Sequence, residues 1–104
     1  MKYEITDYPK PSVLKWAILV ILLRTDRPML AREIDREVAS LLNISESMYS
    51  AVLENGKRYM PYRLGWERSK ARKLGFIEKS PEFPRLWQLT DLGREYAVKK
   101  ERNF

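Results

Sequence analysis

The 104-residue sequence contains no cysteine and no histidine. Without thiols there are no disulfides and no thiolate chemistry. With imidazole missing as well, nearly every transition-metal site is excluded, so neither a metal nor a cofactor is expected. Acid–base work would fall to carboxylates, which are spread along amphipathic segments at spacings that suit solvation and ion pairing. Glycine occurs only four times, and the four lie apart, so there is no glycine-rich phosphate loop. A catalytic site needs converging groups; these absences argue that the chain is not an enzyme. A long apolar run is also missing. Trp16 to Leu23 reads WAILVILL and is closed by Arg24, Asp26 and Arg27. A spanning helix needs about 20 such residues, and a signal peptide needs a small-residue cleavage site. The expectation is therefore a soluble chain without a membrane partner, at home in a reducing cytoplasm.

What is present suits one folded domain: 44% of residues are hydrophobic and 33% charged, too apolar for disorder. The net charge of +6 is unevenly placed. Residues 1–54 carry seven Lys/Arg against eight Asp/Glu, and residues 80–104 carry five against four. Between them lie Lys57, Arg58, Arg63, Arg68, Lys70, Arg72, Lys73 and Lys79, opposed only by Glu67 and Glu78. A solvated helix face can be basic without a function. A concentrated positive field, however, is also the footprint of a polyanion binder.

The apolar periodicity divides the chain into a lead-in (1–11), a domain (12–100) and a short tail (101–104). Ser12 is a candidate cap for a first helix over 12–24. That helix is apolar on every side in its middle, so several neighbours or a second chain must cover it. Thr25-Asp26-Arg27-Pro28 breaks it, and Met29-Leu30 suits a short strand. A second helix over 31–42 places Ile34, Val38, Leu41 and Leu42 on one stripe, with Arg32, Glu33, Asp35 and Arg36 outside. Ser45 or Ser47 can cap a short third helix, and Glu54-Asn55-Gly56 is a turn. A longer helix begins near Met60-Pro61 and ends at Leu74, with Gly75 just past its end. Phe76–Lys79 and Leu86–Leu89 alternate as strands around a proline-containing loop. Thr90-Asp91 then caps a last helix with Leu92 and Tyr96 facing inward. This order predicts an α+β, mainly α fold: a winged helix-turn-helix with a C-terminal β-hairpin wing and a final helix.

In the long helix, Leu64, Ala71 and Leu74 share the core side, while Tyr62, Trp66, Ser69, Lys70 and Lys73 share the opposite side, flanked by Arg63 and Arg72. With Lys57 and Arg58 before the helix and Arg85 at the wing tip, these are the candidate DNA-binding residues. The cations can neutralise phosphates while the helix presents polar groups to a major groove wide enough to admit it. Gly65 lies on the outward flank, where a missing side chain permits close approach of a backbone. Trp66 has two readings, contact with nucleic acid or packing against the wing or the Tyr49 helix. Arg68 likewise suits pairing with Glu67 or a core edge as well as DNA. Phe83 and Trp87 are expected to seal the wing onto the core.

Three segments carry a family resemblance: Arg63-Leu-Gly-Trp66-Glu-Arg-Ser69, Lys73-Leu-Gly-Phe-Ile77 and Leu89-Thr-Asp-Leu-Gly-Arg94. With Asn55-Gly56-Lys57 before them, they resemble the N-terminal winged-helix domain of Mrr-type restriction endonucleases over roughly Val13 to Val98. The resemblance implies double-stranded DNA binding in a family that restricts methylated DNA through a separate C-terminal nuclease domain. No Asp…Glu-x-Lys metal-binding core follows Val98, so cleavage is not expected here. The chain then reads as an excised domain or a free-standing relative, including a transcriptional regulator, with a nuclease domain or subunit supplied in trans. The alternative reading is a winged helix used for protein contact or homodimerisation through helix 1. RNA is disfavoured because the deep, narrow major groove of an A-form helix excludes a recognition helix.

Overall fold

The computed structural model describes residues 3–54 and 56–104, so Asn55 of the expected turn lies outside the described residues. Among the described residues a 3-10 turn (Ile5–Asp7) precedes α1 (Pro11–Thr25), α2 (Ala31–Leu41), α3 (Glu46–Ser50), α4 (Tyr59–Lys73), β1 (Ile77–Lys79), β2 (Trp87–Leu89) and α5 (Asp91–Glu101). Helices followed by an antiparallel hairpin and a last helix form a winged-helix arrangement.

α1 starts one residue before the expected Ser12 cap. Lys10 is the cap residue and Pro11 takes the first helical position, where its missing N–H costs nothing. Leu14 and every residue from Ala17 to Leu22 are buried, because α2, α4 and α5 all pack around this helix. Each fully buried leucine or isoleucine contributes about 1.5–3 kcal/mol relative to exposure. The apolar surface that suggested a second chain on helix 1 is thus covered within one chain, and that ground for a homodimer falls away. Asp26, in the left-handed region at φ 53°, ends the helix.

α2 buries Ile34 and Val38 as its spacing requires, but Asp35, expected outside, is only 6% exposed. Of the two serines proposed to cap α3, Ser45 does so, accepting from the Met48 N–H at 3.1 Å. Ser47 lies 3.1 Å from the Tyr3 hydroxyl instead. The hairpin pairs Ile77 with Leu89, Glu78 with Gln88 and Lys79 with Trp87. Met29 adds a single bridge to Trp87, the two exchanging hydrogen bonds of 2.9 and 2.7 Å. That bridge fixes the start of α2 against the wing.

Thr90 caps α5 by accepting from the Gly93 N–H at 3.0 Å while its hydroxyl donates to the Gly75 carbonyl. Two leucines depart from expectation: Leu74 is 51% and Leu92 43% exposed. Leu74 is the residue at which α4 ends, and the turn through Gly75 (φ 81°) hands the core position to Phe76. In α5 the buried face runs through Gly93 and Ala97, one position beyond Leu92. Tyr96 does turn inward, its ring 4.6 Å from Phe76 and 6.0 Å from Trp16. Residues near both ends of the described stretch, Tyr3, Tyr8 and Phe104, pack on the same core. Tyr8 is buried with its ring 4.7 Å from Tyr59, and Arg24 donates to Glu101 and to the Phe104 carbonyl, each at 3.1 Å.

Candidate nucleic-acid interface

α4 presents two faces at helical spacing. Met60, Leu64, Glu67 and Ala71 are buried, while Tyr62, Trp66, Ser69, Lys70, Arg72 and Lys73 are exposed. The outward set recurs at intervals of three and four residues, the repeat of a single helical face. Arg58 is the exposed cap residue of the helix. The exposed Lys57 places its Nζ 4.5 Å from the centre of the Tyr62 ring. Trp66 is 49% exposed, and the ring of Tyr62 lies beside it, 6.3 Å away edge-to-face. Gly65 is half-buried on the same helix, and a methyl group built there would meet only Arg68 Nη2, at 3.6 Å.

Arg63, Arg68 and Lys70 are engaged by carboxylates. Arg68 reaches across to α2 and pairs with Asp35, not with the expected Glu67, both groups being largely buried. This removes Arg68 from the exposed face and accounts for the buried Asp35. Burial holds the Asp35 carboxyl above the usual carboxylate range, an effect that the adjacent guanidinium opposes. Glu67, 1% exposed, is flanked by Arg63 Nη2 at 3.3 Å and Lys70 Nζ at 3.5 Å. Arg63 is therefore half-buried beside Glu67, not at the rim of the outward face. Lys70 keeps about half of its side chain exposed. Counting Asp35 with residues 55–79, the local surplus falls from six positive charges to five. The field is trimmed, not abolished.

Arg72 and Lys79 lead toward the wing. Trp87 is buried, as expected, with Lys79 Nζ 4.1 Å and Arg72 Cζ 5.6 Å from its ring. Phe83, expected to seal the wing, is 57% exposed instead; Trp87 already fills the position against Met29. Arg85 is exposed at the edge of an open depression of about 380 Å³, lined also by Leu30, Arg32, Lys79, Pro84 and Trp87. Arg32 and Lys79 join Arg85 there, although the sequence reading named neither as a site residue. Nothing local to α2 signals this placement of Arg32, because its neighbourhood is created by the Met29–Trp87 bridge. Lys79 was legible only as a member of the basic segment.

Among the described residues no group of three or more acidic side chains is placed to hold a metal ion. Among the same residues no helix is long and apolar enough to cross a membrane. The helical core, the wing hung on its sheet and the cation-bearing outer face of α4 together define a winged-helix protein. More narrowly, the model of the Mrr N-terminal domain family matches residues 14–99, and the chain belongs to that family. The family is that of an N-terminal domain and not of the catalytic nuclease domain. No curated protein and no solved structure matches the chain.

Proposed function

We propose that this domain binds double-stranded DNA, with the outer face of α4 in the major groove and the wing against the backbone, as the recognition module of an Mrr-like restriction system. It catalyses nothing itself; cleavage belongs to a nuclease domain or subunit acting with it. The observation that carries the reading is the exposure of Ser69, Lys70, Arg72 and Lys73 on one helix, continued by Lys79, Arg85 and Arg32 around the wing. A helix of this kind offers hydrogen-bonding groups at its centre and phosphate partners at its edges.

Fluorescence anisotropy of a labelled duplex across a salt series tests the reading. Four to five phosphate contacts, an order-of-magnitude count, correspond to a slope of log affinity against log salt of roughly −4. Lys73 makes no ion pair among the described residues, so Lys73→Glu should weaken binding by about tenfold and shift the melting temperature by no more than ~2 °C. A chain that fails to bind duplex even at low salt would remove the DNA-binding function.

A further inference from the structure

We propose that the Tyr62–Trp66 pair on α4 stacks on an unpaired base, so that the domain prefers duplex DNA interrupted by unpaired nucleotides over continuous duplex. The proposal deepens the DNA-binding reading and rests on it. Large aromatic side chains are ordinarily withdrawn from water, and most here obey: Trp87 and Tyr59 are buried and Trp16 is half-buried against Phe76 and Tyr96. Phe83 is exposed in the wing loop, whereas Tyr62 and Trp66 are nearly half exposed side by side on the helix that carries the cations.

A continuous duplex has little use for them. Its major groove displays base edges, namely donors, acceptors and the thymine methyl, while the flat faces of the bases are hidden in the stack. An unpaired base exposes that face, and an aromatic ring can cover it whatever the base. The charge around the rings selects the same occupant. Lys57 lies over Tyr62, Lys73 follows on the outward face, and Lys70 stands beside them with half its side chain exposed. An apolar protein surface would have to desolvate these ammonium groups. A strand with one base turned out supplies an apolar face and phosphates together.

The test compares anisotropy titrations of a short blunt duplex and the same duplex carrying a central bulge of unpaired adenines, at one salt concentration. The bulged duplex should bind about tenfold tighter, modest for a base–aromatic stack. Trp66→Ala with Tyr62→Ala should bring the ratio of bulged to blunt affinity to about one, whatever it does to blunt-duplex affinity itself, and Trp66→Phe should retain part of the preference. Equal affinity of the wild-type protein for both DNAs would overturn this inference and leave duplex binding standing. Binding to neither would overturn both. Sedimentation showing a dimer that Trp66→Ala dissociates would assign the rings to a second copy of the chain, and would equally overturn it.

Discussion

Replacing Arg68 with methionine probes the link that sets α4 against α2. The longer part of the side chain is kept, so packing is largely preserved, but the guanidinium paired with Asp35 is lost. Asp35, 6% exposed, then stays buried without its partner. Breaking a buried pair in this way costs about 3–5 kcal/mol. The Arg68 side chain is 16% exposed, which allows some solvent relief and places the loss near ~3 kcal/mol. For a domain of this size that lowers the melting temperature at neutral pH by roughly 12 °C or more. The loss should also depend on pH. An aspartate in the unfolded chain titrates near ~3.9, whereas burial lifts Asp35 above the ordinary range in the folded protein. Its proton is therefore held more tightly when folded. The stability this confers is complete below the unfolded value and disappears as pH rises through the folded one. Without Arg68 the folded value climbs further. The deficit of Arg68→Met relative to wild type should consequently shrink between about pH 7 and about pH 4.5, as Asp35 takes up a proton. Adding Asp35→Asn should recover much of the loss at neutral pH and flatten the pH dependence. Urea denaturation at the two pH values measures both. A deficit under ~1 kcal/mol at neutral pH, or one identical at both, would refute the account of the pair.

Glycine positions give two sharper contrasts. At Gly93 an added Cβ would sit 1.8 Å from the Phe76 carbonyl oxygen, and backbone cannot yield as a side chain can. Gly93→Ala should therefore destabilise the domain by more than about 2 kcal/mol, or prevent folding, and a melting temperature within a few degrees of wild type would contradict the α5–Phe76 contact. Gly65→Ala meets nothing closer than 3.6 Å and should stabilise α4 by about 0.5–1 kcal/mol. If DNA backbone approaches the helix there, the same substitution weakens duplex affinity even as thermal stability rises; stabilisation with undiminished affinity would dismiss that role for the glycine.

The stretch from Asn55 to Lys79 announced its basic character without any structure, and its helix boundaries were readable because proline, glycine and the three-four apolar spacing mark them. The winged-helix order was legible for the same reason: each element signals its own start and stop within a few residues. Where the reading failed, the missing information was non-local. Asp35 looked like a solvated residue on the polar side of α2, since its partner is thirty-three positions away on another helix. Trp66 was open to two readings, since its 49% exposure depends on whether a distant neighbour is there to cover it. Phe83 lost its expected place because Trp87 holds it.

Local chemistry along the chain thus determined which segments are helices, where the wing lies and which helix carries the cations, because capping, periodicity and charge act over one or two turns. Only the tertiary structure decided which of those cations remain available. Arg63 and Arg68 are drawn inward by buried carboxylates, Lys73 is left outward, and Arg32 is brought to the wing by a bridge between Met29 and Trp87. Charge availability depends on distances between residues far apart in sequence, and only packing sets those.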